Sequence, residues 1–285
     1  MSGGEADFAG QLSREFHHPT MRRAFSSRMI LFCAFLVSAL FISRLFGAET
    51  PFARAATNGR TFLTNLFNPE LELLPEFQGA KTFWIYHDNY LAAKVLAKTH
   101  PKTSAKIMAA IKPECAEQDS KAKILFNESA RPLPFRDSRL KDVRQLTNGM
   151  IRTEIITTNV ISGWTNYADL LLLACIAEKN DANARADWNA ALALWDGHGF
   201  MDDAARAQKT YSTYKLALAA IAGKGLHRES ELPAGLIDKL LSLQSSSGGW
   251  ITDYDAAGKP IGLANVETTC LCILGIEAMA GKSNK

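Results

Sequence analysis

The chain has 285 residues, of which 47% are hydrophobic and 21% are charged, with 19 glycines and 10 prolines. This composition argues against a disordered, collagen-like or disulfide-knot protein. Its 32 basic and 29 acidic residues are mixed along the sequence and leave a net charge of +3, which gives no field of the strength that nucleic-acid binding needs. We therefore expect a globular protein without a nucleic-acid partner.

The N-terminal part contains an uncharged run at residues 29–43, MILFCAFLVSALFIS, preceded by Arg22, Arg23 and Arg28. Extended to Ala48, the run reaches the roughly 20 residues that a membrane-spanning helix needs. We interpret residues 28–48 as a transmembrane signal anchor; a cleaved signal peptide and a helix buried in a soluble core are the alternatives. The arginines place residues 1–27, an expected disordered tail, in the cytoplasm and the rest of the chain outside it, secreted if the anchor is cleaved.

From about residue 60 the hydrophobic pattern is helical almost throughout. Four segments have a polar or aromatic start followed by a helix that is apolar around its circumference, and amphipathic segments lie between them. This alternation predicts an all-α fold, an incomplete α/α-toroid of about three to four helical hairpins over residues 60–281. Residues 112–162 read as an insertion, in which residues 150–161 predict a strand or short hairpin.

One stretch resembles a known repeat. Gln244 is followed by Gly248-Gly249-Trp250, and a degenerate copy lies at residues 195–200. The pattern resembles the Gln–Gly–Trp repeat of the terpenoid-cyclase and protein-prenyltransferase toroid superfamily. The resemblance implies the toroid fold, with the aromatic side chain wedged between hairpins. It implies no reaction, because the acid, zinc-ligand and thioester motifs of that superfamily are missing from this sequence, so we predict no metal or cofactor.

In a toroid, the N-termini of the inner helices lie at one end and form a polar bowl. Tyr90, Tyr167 and Tyr214 recur at equivalent positions of three of these starts. Helix capping is the alternative role for the small polar residues there, and ring packing is the alternative for the tyrosines. Asp169 lies at the second start. The candidate ligand-binding residues are His87, Asp88, Asn89, Tyr90, Asn166, Tyr167, Tyr214, Trp250 and Asn265.

The candidate catalytic residues are carboxylates near the last apolar helix. Asp253 and Asp255 alternate as in a short strand and precede Glu267 at the start of that helix. Together they could supply paired carboxyl groups for acid/base chemistry. The alternative is a turn at residues 255–258 with solvated acids.

Three functions fit this sequence. The first is a membrane-anchored extracytoplasmic domain that binds a glycan or other polar ligand at the bowl. The second is a carbohydrate-active enzyme, of glycoside hydrolase or polysaccharide lyase type, that uses Asp253, Asp255 or Glu267. The third is an isoprenoid-handling enzyme, suggested only by the repeat.

Overall fold

The computed structural model describes residues 49–115, 118–178 and 182–281. The predicted tail and signal anchor, residues 1–27 and 28–48, lie outside the described residues. Within the described ranges, every helix is too short or too polar to cross a membrane.

The described chain contains helices, two small sheets, a π-helical turn at Ile85–Tyr90 and two short 3-10 turns. The helices are α1 (Pro51–Leu66), α2 (Leu91–Leu96), α3 (Pro101–Cys115), α4 (Lys121–Ile124), α5 (Ala168–Ala177), α6 (Ala182–Ala193), α7 (Asp203–Gln208), α8 (Thr213–Gly225), α9 (Leu236–Ser242) and α10 (Val266–Ala280). The strands are β1 (Thr82–Trp84), β2 (Arg136–Leu146), β3 (Gly149–Val160), β4 (Tyr211–Ser212), β5 (Ile251–Tyr254) and β6 (Pro260–Ala264).

Four apolar helices, α2, α5, α8 and α10, form the interior. Helix α10 packs against α1, α2 and α8, and α8 packs in turn against α5. These helices carry leucine, isoleucine, alanine and cysteine on nearly every face, so they gain most by being surrounded by other elements. Helices α3, α6 and α9 pack against α2, α5 and α8 respectively.

The first sheet has the strand order β1-β3-β2, with β1 parallel and β2 antiparallel to β3. Strands β2 and β3 form a long hairpin in which Leu140 is opposite Glu154. The second sheet, β4-β5-β6, is antiparallel and pairs Ser212 with Asp253. The π-helical turn directly follows β1, so the first sheet fixes where that turn begins.

The prediction of an all-α incomplete toroid is wrong. Of the described residues 51% are helical and 20% lie in strands or bridges, which makes the fold a mixture of helices and two small sheets. Beyond the strand or short hairpin predicted at residues 150–161, the sequence analysis missed β1, β2 and β4 to β6. Strand β2 is rich in charged residues, and the other four strands have only two to five residues. Such short strands, β6 being largely exposed, carry too little alternation to be recognised from sequence.

The Gln–Gly–Trp element forms a tight loop that buries its aromatic residue. Gln244 pairs with Trp250 in an isolated antiparallel bridge, and the Trp250 indole N–H donates to the Leu240 carbonyl at 2.7 Å. In the degenerate copy, Trp195 pairs with Phe200 in the same way. A Cβ at Gly249 would lie 2.8 Å from the Phe62 ring, which explains glycine there. The two copies therefore share a local structure, while the superfamily resemblance itself stays a prediction.

Candidate functional site

A pocket of about 270 Å³ lies where the first turns of α5, α8 and α10 meet the π-helical turn. Asp169, Tyr214 and Glu267 come from those three first turns, and His87 comes from the π-helical turn. Six apolar side chains form the floor: Leu91, Ala122, Leu125, Leu173, Leu218 and Leu271. Lys121, at the start of α4, completes the lining.

His87 lies between two carboxylates. Its Nε2 is 3.4 Å from Glu154 Oε2 and its Nδ1 is 3.8 Å from Glu267 Oε1. The ring also stacks on Trp84, with centroids 6.1 Å apart and planes 20° apart. Ser138 Oγ donates to the same Glu154 oxygen at 2.8 Å. Both ring nitrogens thus face acceptors, which orients the imidazole and favours its protonated form.

These contacts shift three pKa values. Burial alone lowers the pKa of His87, but the carboxylates of Glu267 and Glu154 outweigh it and raise that pKa to about 9. The hydrogen bond from His87 lowers the pKa of Glu154 to about 2. Burial, followed by the neighbouring carboxylates, raises the pKa of Glu267 despite the nearby histidine. At neutral pH the site therefore holds an imidazolium and an ionised Glu154, beside a Glu267 whose pKa is higher than that of an ordinary glutamate.

Asp169 and Tyr214 form the opposite side of the pocket mouth. The Tyr214 hydroxyl donates to Asp169 Oδ2 at 3.2 Å. Burial and the charge of Asp169 raise the pKa of Tyr214 well above its ordinary value, so the phenol stays protonated and remains a donor. Asp169 thus presents a carboxylate that is held by a neutral group.

Asp88 and Asn89 lie behind the pocket and are almost fully buried. The Asp88 carboxyl accepts from the Glu267 backbone N–H, and burial raises its pKa well above the ordinary value. Asn89 accepts from the Leu74 N–H at 2.7 Å and donates to the carbonyls of Leu74 and Trp84 at 3.0 and 2.8 Å. These bonds use the Asn89 amide to hold the chain that precedes β1.

The remaining candidates from the first three helix starts, Tyr90, Asn166 and Tyr167, do not line the pocket. Tyr90 is buried, and its hydroxyl donates to Glu128 Oε2 at 2.6 Å on the side of Phe126. Tyr167 is the half-buried residue that precedes α5, and Asn166 is exposed in the 3-10 turn before it. The three tyrosines predicted as equivalent therefore occupy three different environments, and of them Tyr214 lines the pocket.

Trp250 and Asn265 serve the local structure around α10. Trp250 is fully buried, and its backbone N–H donates to Thr269 Oγ1 at 3.0 Å. Asn265 is the N-cap of α10 and accepts from the Thr268 N–H at 2.8 Å.

Of the three candidate catalytic carboxylates, Glu267 lines the pocket. Asp253 lies in β5, where its Oδ1 accepts from the Ser212 hydroxyl at 3.0 Å. Asp255 begins a turn in which the Gly258 N–H donates to the Asp255 carbonyl at 2.8 Å, and its side chain accepts from the Lys259 N–H. The structure therefore has the turn that was the alternative interpretation of residues 255–258.

Sequence reasoning missed Glu154 and Lys121. Both belong to the inserted region 112–162, whose position relative to the helices cannot be read from helical periodicity. The one available signal is that Glu154 is the single acidic residue in the Ile- and Thr-rich segment 150–161. Asp169 belongs to the second predicted helix start and is not among the candidate binding residues.

In the part of the chain that the structure describes, no group of three or more His, Cys, Asp or Glu side chains could hold a metal ion. No protein-family model matches this chain, and no curated protein or solved structure shows significant similarity to it.

Proposed function

We propose that the pocket binds a small ligand that has hydrogen-bond donors at one end and an apolar surface at the other. The position of His87 between Glu154 and Glu267, above a floor of aliphatic side chains, carries this proposal. The lining presents the carboxyl groups of Asp169 and Glu267, whose oxygens accept hydrogen bonds and so select hydroxyl or amine groups. A glycan and a small amine both satisfy that requirement.

The pocket has the features of a site that recognises a ligand. Its volume of about 270 Å³ is near the lower end of ordinary small-molecule sites, which are about 300–1,000 Å³. It combines an apolar floor with few polar groups, and three of these, His87, Tyr214 and Glu267, have perturbed pKa values. Both features support binding.

The test is a thermal-shift panel on the full chain with neutral mono- and disaccharides, amino sugars and short alkylamines. A ligand at 100 times its dissociation constant stabilises the folded state by about 2.7 kcal/mol, a readily measured effect. We expect Glu267→Gln to abolish the shift. Asp255→Asn is the matched control, because it makes the same carboxyl-to-amide change on the distant turn.

If Asp255→Asn abolishes the ligand-induced thermal shift and Glu267→Gln preserves it, the ligand binds at the β5–β6 loop instead of in the pocket. A panel without any Glu267-dependent shift would overturn the proposed binding function.

A second candidate function is acid/base catalysis on a glycan. The raised pKa of Glu267 suits a general acid, and the Asp169 carboxylate across the same pocket would act as the base. Turnover of aryl glycosides that falls at least a hundredfold in both Glu267→Gln and Asp169→Asn would support it. The isoprenoid-handling alternative rests on the Gln–Gly–Trp resemblance alone.

We also propose that residues 28–48 anchor the chain in a membrane, with the pocket on the extracytoplasmic side. The uncharged run and the preceding arginines support this proposal.

A further inference from the structure

We infer that the ligand of this pocket carries a primary ammonium group on a short saturated chain, with the ammonium between Asp169 and Glu267. This inference rests on the proposed function, because it names the ligand class for the same pocket. It follows from the charges at the pocket mouth, the chemistry of the floor and the state of the helix ends.

Two carboxyl groups of the pocket, those of Asp169 and Glu267, lack a cation at ion-pair distance that is theirs alone. Glu154 forms an ion pair with His87 and accepts a hydrogen bond from Ser138, and the nearby charge of Lys121 also favours its ionised form. Among the described residues, no ion pair reaches Asp169, whose partner is the neutral Tyr214 hydroxyl. His87 is the cation nearest to both Glu154 and Glu267, but its distance to Glu267 Oε1, 3.8 Å, is longer than its distance to Glu154 Oε2, 3.4 Å.

Further carboxyl groups act on Glu267 from neighbouring elements. The charge of His87 lowers the pKa of Glu267, while Glu154, Asp169 and Glu76 each raise it by repulsion. A bound cation would relieve this repulsion, whereas a neutral hydroxyl would relieve it far less.

The floor favours a saturated chain over a sugar ring. Sugars are commonly recognised on the faces of Tyr, Phe or Trp rings, but here Tyr214 is the one such ring in the lining, beside the imidazole of His87. Leu91, Leu173, Leu218 and Leu271 come from four different helices and form an aliphatic surface. An alkyl chain gains burial there without needing a polar partner.

An anionic ligand is disfavoured even though three helix N-termini meet at the pocket. The Ala168 N–H at the start of α5 already donates to Asp202, and the Thr268 N–H of α10 donates to Asn265. The first turns of these two helices also carry the carboxyl groups of Asp169 and Glu267, which complement the helix dipoles. At α5 and α10 an anion would therefore meet carboxylates instead of free N–H groups, whereas the first turn of α8 has neither a side-chain cap nor an acidic residue.

The test is calorimetric titration of the full chain with straight-chain primary amines of increasing length, and with alcohols and carboxylates of matched length. We expect affinity to rise about fourfold for each added methylene until the floor is filled, which is the fold-change equivalent to ~0.8 kcal/mol per buried CH₂. The matched alcohols should bind at least tenfold more weakly, and the carboxylates should not bind. An Nα-acetyl-lysine amide arm, compared with the free amines, distinguishes a lysine side chain from a free amine as the source of the ammonium.

Three variants make the test specific. Glu267→Gln and Asp169→Asn should each weaken amine binding at least tenfold, and either suffices if the other fails to fold. Lys121→Met should strengthen amine binding about threefold, because it removes a like charge from the pocket. A structural role for Lys121 would not produce a gain, so a loss there contradicts the inference.

The outcomes separate the inference from the proposed function. If a neutral sugar binds in a Glu267-dependent manner and the amines do not, the ammonium inference fails and the binding function stands. Equal affinity for amines and alcohols also overturns the inference. If no compound of either class binds, both fail.

Discussion

Lys215 Nζ lies 2.6 Å from Asp202 Oδ2 in the interior, where the two side chains are 2% and 0% exposed. The same oxygen accepts from the Ala168 N–H at 2.9 Å, and Asp202 Oδ1 accepts from the Ala205 N–H. One buried ion pair therefore joins the starts of α5, α7 and α8. Since α5 and α8 carry Asp169 and Tyr214, this pair helps to position the pocket mouth.

We expect Lys215→Met to lower the free energy of unfolding by ~3–5 kcal/mol, because it leaves a buried carboxylate without its cation. Urea unfolding measures the loss, and Lys102→Met, at an exposed position, is the control. Adding Asp202→Asn to the Lys215 variant should recover part of the stability, because the charge disappears and the amide oxygen still accepts from one backbone N–H. A double variant as unstable as the sum of the two single variants would contradict this coupling.

The His87 contacts predict a loss of stability at alkaline pH. The pKa of His87 is raised from about 6.5, its ordinary value, to about 9 in the folded protein. The protonated imidazole therefore contributes its full stabilisation at pH values below about 6.5. That contribution is lost as the pH rises through about 9. Between pH 7 and 10 the unmodified chain should therefore lose more stability than His87→Gln, as measured by denaturant midpoints. Parallel pH profiles for the two proteins would show that the imidazolium contributes nothing.

Asn89→Ala should destabilise the fold by about 3 kcal/mol. The change leaves the buried N–H and carbonyl of Leu74 and the carbonyl of Trp84 without their partner, and one unsatisfied buried group costs about 1–3 kcal/mol. Asn166→Ala is the matched control at an exposed helix start and should change stability by less than about 0.5 kcal/mol. Equal effects in chemical unfolding would refute a structural role for the Asn89 amide.

Trp250→Ala should cost ~3–5 kcal/mol, the usual effect of deleting a large buried aromatic side chain. Trp250→Phe keeps an aromatic ring but removes the pyrrole part of the indole and its N–H bond to Leu240, so we expect a loss smaller than that of the alanine variant. Thermal unfolding followed by circular dichroism distinguishes them. An unchanged melting temperature combined with lost ligand binding would instead give Trp250 a direct functional role.

Removing residues 1–48 should give a chain that stays in solution without detergent, because the uncharged run 29–43 is then absent. Sedimentation of membranes after alkaline washing provides the readout. We expect the full chain in the pellet and the shortened chain in the supernatant. Full-length protein in the supernatant would rule out the anchor.

The parts of the site that could be predicted are those that follow a recognisable local pattern. His87, Tyr214 and Glu267 lie at the starts of strongly apolar helices, and such starts are visible in a sequence. Glu154 could not be found, because its proximity to His87 depends on the pairing of β3 with β1, which is a long-range contact. Asp253 was misplaced for a similar reason, since its pairing with Ser212 depends on the β4–β5 register.

Tyr90 shows a further limit of sequence reasoning. Its spacing made it equivalent to Tyr214, yet the π-helical turn that contains it is wider than an α-helical turn and changes the direction of successive side chains. As a result, His87 lines the pocket while the Tyr90 hydroxyl contacts Glu128. No pattern in the sequence predicts a π-helical turn at these residues.

His87, Glu154 and Glu267 come from three stretches that are far apart in the sequence. Contacts of high sequence separation form only after the intervening loops have closed, which slows their formation. The histidine and its two carboxylate neighbours therefore come together late, after local helices are in place. In a refolding experiment, helical circular dichroism should return before the proposed ligand binding does, and the interval between the two signals measures how long the chain takes to complete its tertiary structure.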